Sequence, residues 1–137
     1  MSLESFRQYC ERYKDWRSQG RFIGANEDSK VHDELVLILF RYPGIMGITD
    51  VSHKFKEVPL WRPNECIEGC ADLVFFAQNE AYLCEVKVGR YKNGWARSQL
   101  RRLHSSVYEQ FRVSSRLLHS SQHNGADLRT VSVSPFI

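Results

Sequence analysis

The sequence predicts a single α/β (or α+β) domain, 1–137, in which helices flank a mixed central sheet. Two amphipathic helical patterns open the chain, three β-prone runs follow, and a long amphipathic helix leads to a last β-prone run. The 137 residues and their 42% hydrophobic content suffice for one ordinary core. The longest apolar run, Leu35 to Phe40, is far short of the roughly 20 residues that cross a bilayer, so no membrane partner is expected.

From Ser2 to about Gln19, Leu3, Phe6, Tyr9, Cys10, Tyr13 and Trp16 recur at three- and four-residue spacing, behind a capping serine and ahead of Gly20. A second helix carries Val31, Leu35, Val36, Ile38, Leu39 and Tyr42 on one side and must end before Pro43, with Glu34 at the margin of the stripe. The segment 44–58 turns β-prone, with Lys54 and Lys56 alternating with Phe55, a bend at Gly47 or Asp50, and Pro59 as its end. Residues 60–69 read as a loop. Then "CADLVFFA" and "AYLCEVKV", joined by "QNE", have the form of a tight hairpin. Ala96, Leu100, Leu103, Val107, Phe111 and Ser114 predict a long helix from Trp95 to Leu118, and "LRTVSVSPF" predicts a final strand.

The hairpin holds charges that a sheet interior rejects. Strand alternation puts Glu85 and Lys87 on one face and Cys84, Val86 and Val88 on the other, and the neighbouring strand can bring Asp72 beside them. Two clustered carboxylates demand compensation. Lys87 balances one, and Mg²⁺ or Mn²⁺, held by Asp72, Glu85 and the Val86 carbonyl, suits the remainder. Such an ion would stabilise charge at a phosphoryl centre and acidify water, with Lys87 orienting that water or neutralising a phosphate oxygen. The same three residues also suit a solvated hairpin face, and on their own they do not decide between the two.

Net charge is only +3, so placement matters more than total. After Glu85 the next acid is Glu109, and between them lie Lys87, Arg90, Lys92, Arg97, Arg101 and Arg102. Cys10, Cys66, Cys70 and Cys84 lack zinc-ribbon spacing and read as buried thiols in a reducing compartment. With no secretory leader read at the start of the chain, the expected location is cytoplasmic, or intracellular or nuclear for a eukaryote or its virus. The five histidines show no ligand spacing; His32 could approach a site shared with Glu34, but it reads first as a capping or surface residue.

The stretch "GCADLVFFAQNEAYLCEVKVG" resembles the core motif of the PD-(D/E)xK nuclease superfamily, with Asp72 as its first acid and Glu85-Val86-Lys87 as ExK. The resemblance implies a restriction-endonuclease-like core, αβββαβ, over 28–137, with residues 1–20 an extra helix appended to it. It implies Glu34 as an acid reaching the metal from the preceding helix. It also implies Gln99, similar to the glutamine of archaeal-type Holliday-junction resolvases and virus-type replication-repair nuclease domains, as a support for catalysis. Ala71 stands where the naming proline would be, Leu103 where exonuclease-type members have tyrosine, and Val88 where some resolvases have a small hydroxyl residue. The implied activity is a metal-dependent endonuclease on nucleic acid, DNA rather than RNA, acting as a homodimer. Arg90, Lys92, Arg97, Arg101 and Arg102, extended by Lys54 and Lys56, would follow the phosphate backbone. The alternative is a non-catalytic nucleic-acid-binding or assembly module on the same fold.

Overall fold

The structure, a computed structural model, describes residues 2–16, 27–61, 67–88, 93–122 and 132–136. Its elements are α1 (Leu3–Tyr13), α2 (Glu27–Arg41), a 3₁₀ turn (Pro43–Met46), β1 (Val51–Trp61), β2 (Ile67–Ala77), β3 (Glu80–Val88), α3 (Asn93–Phe111), β4 (Arg116–Gln122) and β5 (Ser132–Phe136). The five strands lie in chain order. β1, β2 and β3 form an antiparallel meander, α3 carries the chain over to β4 parallel to β3, and β5 returns antiparallel. The fold class is thus α+β around a mixed sheet. Among the described residues no helix is long and apolar enough to cross a membrane.

Local chemistry accounts for the boundaries. Ser2 Oγ accepts the Ser5 backbone N–H at 3.1 Å and caps α1. Gln78 and Asn79 both have positive φ, 53° and 63°, as a two-residue hairpin turn requires, and they set the β2–β3 register. α3 stops at Phe111 because Arg112 turns left-handed, φ 56°.

Three expectations are corrected. The bend before β1 is a 3₁₀ turn closed by Gly47 in the left-handed region, and β1 then runs through Pro59 to Trp61; an edge strand tolerates the missing donor. Residues Ile67 to Gly69, expected as loop, belong to β2. Leu117 and Leu118, expected at the end of the long helix, lie in β4. Leu117 and Leu118 are buried on opposite faces of the sheet, so the polar alternation by which a strand is recognised is lost there.

The sheet separates two cores. On one face Phe6 and Cys10 of α1 and Leu100, Leu103 and Val107 of α3 pack on Phe55, Val58, Val74, Phe76, Leu83 and Leu117. On the other, Leu35, Val36 and Leu39 of α2, with Met46 and Ile48, pack on Leu73, Phe75, Cys84, Val86 and Leu118. Phe6 is fully buried against Phe76 and Phe111, so α1 covers part of the main core. Burial of one such side chain contributes about 1.5–3 kcal/mol.

A candidate active site where two strands part

The alternation of β2 breaks at Asp72. Leu73, Phe75 and Ala77 face α2, while Val74 and Phe76 face α1 and α3, yet Ala71 also lies on the α1/α3 side. The facing strand breaks at the same level: Phe55 and Val58 share that side, and Glu57 between them has φ 55°. Paired kinks of this kind re-aim side chains. The β2–β3 ladder reaches Leu73↔Cys84 and goes no further.

Carboxylates replace the missing ladder bonds. The Val86 N–H donates to Asp72 Oδ2 at 2.8 Å, and the Asp72 N–H donates to Glu85 Oε1 at 3.3 Å. Both acids are buried, Asp72 at 7% and Glu85 at 1% exposure. Backbone donors that would otherwise be orphaned are satisfied, and two charges that strands exclude gain a structural reason. The N–H and C=O of one strand residue point toward the same neighbour, so the Val86 carbonyl also faces this gap.

Helices close the gap from either side. From α3, Gln99 Oε1 accepts from Lys87 Nζ at 2.9 Å, and Lys87 Nζ lies 3.8 Å from Glu85 Oε2. A Cβ at Gly69 would lie 3.8 Å from Gln99 Nε2, which puts Gln99 across the break from β2 to β3. From α2, His32 Nε2 lies 3.2 Å from Asp72 Oδ2, and its Nδ1 lies 3.1 Å from Asp33 Oδ1.

Burial works against charge on both carboxyls. At Asp72 it is outweighed by His32, the Val86 N–H and Glu85, and the carboxyl is held below its ordinary range. At Glu85 burial and the nearby Asp72 push the carboxyl well up, with Lys87 opposing them. Burial and mutual repulsion thus drive the two carboxyls apart, Asp72 toward its ionised form and Glu85 toward its protonated form.

The structure brings together Asp72, Glu85, Val86, Lys87 and Gln99 as the sequence predicts. It does not bring Glu34, which is exposed. Leu35, Val36 and Leu39 are the sheet-facing positions of α2, and His32 precedes them by three, four and seven residues, so His32 shares their face. Glu34, two residues from His32 and from Val36, points the other way. That spacing was readable in advance and would have favoured the approach of His32 to the site over a capping or surface role.

The basic residues divide. Arg90 and Lys92 lie outside the described residues, as does the side chain of Arg97. Arg101 and Arg102 are exposed on α3; Arg102 shares the flank of Gln99 and Ser106, whereas Arg101, two residues from Gln99, faces away from it. Lys56 is held by Asp15 at 2.8 Å, and Lys54 sits over the Phe40 ring at 5.0 Å, about 12 Å along α2 from His32. Both lysines thus have partners other than Asp72 and Glu85.

Cys10 and Cys84 lie on opposite faces of the sheet, and burial raises both thiols well above their ordinary value, so they serve as core side chains. Cys66 lies outside the described residues. Among the described residues no three His, Cys, Asp or Glu side chains already converge as a ligand set. A divalent ion here would draw on the two carboxylates, a backbone carbonyl and water, which is the donor set of Mg²⁺ and Mn²⁺.

No family model, curated protein or solved structure matches this chain.

Proposed function

We propose that this protein is a metal-dependent nuclease of the PD-(D/E)xK type, hydrolysing phosphodiester bonds as an endonuclease on DNA. The observation that carries the reading is the broken β2–β3 ladder, where Asp72, Glu85 and Lys87 meet within hydrogen-bond and ion-pair reach. The element order α2, β1, β2, β3, α3, β4 supports a restriction-endonuclease-like core. Asp72, Glu85 and the Val86 carbonyl fit Mg²⁺ or Mn²⁺, because two buried carboxyls and a backbone oxygen meet at one break in the ladder.

Such an ion, when bound, supplies charge neutralisation at the phosphate and a more acidic water. The chain's own residues do the rest. Gln99 fixes the Lys87 ammonium at the edge of the gap, where it would donate to a phosphate oxygen or orient the attacking water. The Val86 N–H pins Asp72 Oδ2 and so fixes the orientation of that carboxylate at the break in the ladder. Arg102, on the Gln99 flank, would meet the phosphate backbone.

The test is Mn²⁺- or Mg²⁺-dependent cleavage of plasmid and of labelled duplex, flap, junction and single-stranded DNA and RNA, comparing wild type with Asp72→Ala and Lys87→Ala. Cleavage by wild type alone supports the proposal. Retained nucleic-acid binding with no cleavage of any substrate would sink it in favour of the non-catalytic module. Light scattering on the same samples tests the accompanying expectation of a homodimer.

A further inference from the structure

Three of the four large apolar side chains exposed among the described residues come from the single stretch 37–45: Leu37 (43%), Tyr42 (62%) and Ile45 (41%). Leu35, Val36 and Leu39 fix the sheet-facing side of α2, and Glu34, Leu37 and Arg41 fall within about 60° of one another on the opposite side. Glu34 and Arg41 are exposed, and among the described residues neither has an ion-pair partner. Seven positions separate them, about 10 Å along the axis, too far to meet within one helix yet within about 20° of the same line.

That spacing is self-complementary. Let a second α2 lie antiparallel across this face, with a two-fold axis passing between Leu37 and Ile38. Glu34 of each copy then meets Arg41 of the other, and Leu37 packs on the half-buried Ile38 of the other. Ion pairs flank an apolar centre on both sides, and Tyr42 and Ile45 lie just beyond, where the 3₁₀ turn continues from the helix. A parallel register would set Glu34 against Glu34, so the charges admit only the antiparallel one. A surface for a lipid or an unrelated protein has no need of this reciprocal spacing. We infer that the outer face of α2 is a homodimer interface, occupied by the same face of a second copy in antiparallel register. The inference rests on the homodimer expected of the proposed nuclease and not on its chemistry. His32 reaches Asp72 from the opposite side of α2, so the interface lies away from the gap between β2 and β3.

Sedimentation velocity from about 1 μM to about 1 mM protein, the range in which a small interface associates, measures the dimer. The samples are wild type, Glu34→Arg, Arg41→Glu, Leu37→Lys, and Glu34→Arg mixed one-to-one with Arg41→Glu. Wild type should dimerise reversibly, and each single variant should raise the dissociation constant at least about tenfold, because the two-fold axis imposes every unfavourable contact twice. The mixture should return to within about threefold of wild type, since all facing charges are again opposite in sign. Mixing does not repair a misfolded chain, so this arm separates a lost contact from a lost fold. A wild type monomeric throughout would overturn the inference and the homodimer expectation together. Variants that dimerise as wild type does, or a mixture no tighter than its components, would reject this interface alone. Dimerisation through these residues in a protein that cleaves no substrate would uphold the interface and reject the nuclease reading.

Discussion

Lys87 Nζ donates to Gln99 Oε1 at 2.9 Å, tying the charged end of β3 to the first turns of α3 while standing 3.8 Å from Glu85 Oε2. The bond makes Gln99 a positioning residue for the ammonium. Lys87→Ala should abolish cleavage, and Gln99→Ala should lower it about 10–100-fold, the range for disturbed outer-sphere support. Gln99→Glu should keep more activity than Gln99→Ala, since it retains the acceptor. The measurement is single-turnover cleavage beside Mn²⁺ affinity; equal loss of metal binding in Gln99→Ala would assign Gln99 to the ion instead of to Lys87.

Glu85 and Asp72 titrate in opposite directions, and each leaves a mark on stability. The Glu85 carboxyl, raised from an ordinary value of 4.5 by burial and Asp72, binds its proton more tightly in the folded protein. Stability of the metal-free protein should therefore fall as pH rises from about 4.5 through the raised folded value, by about 1.4 kcal/mol for every tenfold by which folding tightens proton binding. Asp72, lowered despite its burial, contributes stability above its ordinary 3.8 that is lost as pH falls through its folded value. Glu85→Gln should remove the alkaline-side decline and raise the metal-free Tm at neutral pH while eliminating cleavage. Urea melts at several pH values in EDTA check it; a variant less stable than wild type at pH 8 would contradict the raised Glu85 carboxyl.

Phe6 tests whether α1 belongs to the domain. Its ring lies 5.5 Å from Phe76 and 5.2 Å from Phe111, and Tyr9 donates its hydroxyl to the Pro59 carbonyl. Phe6→Ala should cost about 3–5 kcal/mol, the range for emptying a buried aromatic position. A truncation lacking residues 1–16 should lose cooperative thermal unfolding. An appended helix would show neither effect.

What the sequence disclosed follows the physics of each element. The β2–β3 hairpin was legible because two-residue turns demand positive φ and strands alternate; Glu85 and Lys87 share a face for the same reason. The core boundary at α1 was not, since a helix with an apolar stripe gives no sign of which surface it covers. β4 was hidden because Leu117 and Leu118 face different cores, which erases the two-residue period. Among the site residues, Asp72 was placed by chemistry, but the break in its ladder lies level with the positive-φ Glu57 across the strand pair, a non-local feature. His32 was ranked below Glu34 because an acid was expected on its helix, although its spacing from Leu35, Val36 and Leu39 put it on the sheet side.

Arg101 and Arg102 are adjacent in sequence and should differ in function. On α3, Arg102 stands on the flank of Gln99, the residue that grips Lys87, while Arg101 stands about 200° of helical rotation from Gln99 and points to solvent. A phosphate track that passes Lys87 can meet the first and not the second. Arg102→Ala should weaken binding to all DNA sequences alike and reduce the log–log salt slope by about one, because one phosphate contact releases about one counterion. Arg101→Ala should leave slope and cleavage within error of wild type. Fluorescence anisotropy over a range of KCl concentrations checks both. Equal slopes for the two variants would mean that DNA crosses the outer face of α3, away from the break in the sheet, and would separate the basic run from the carboxylates.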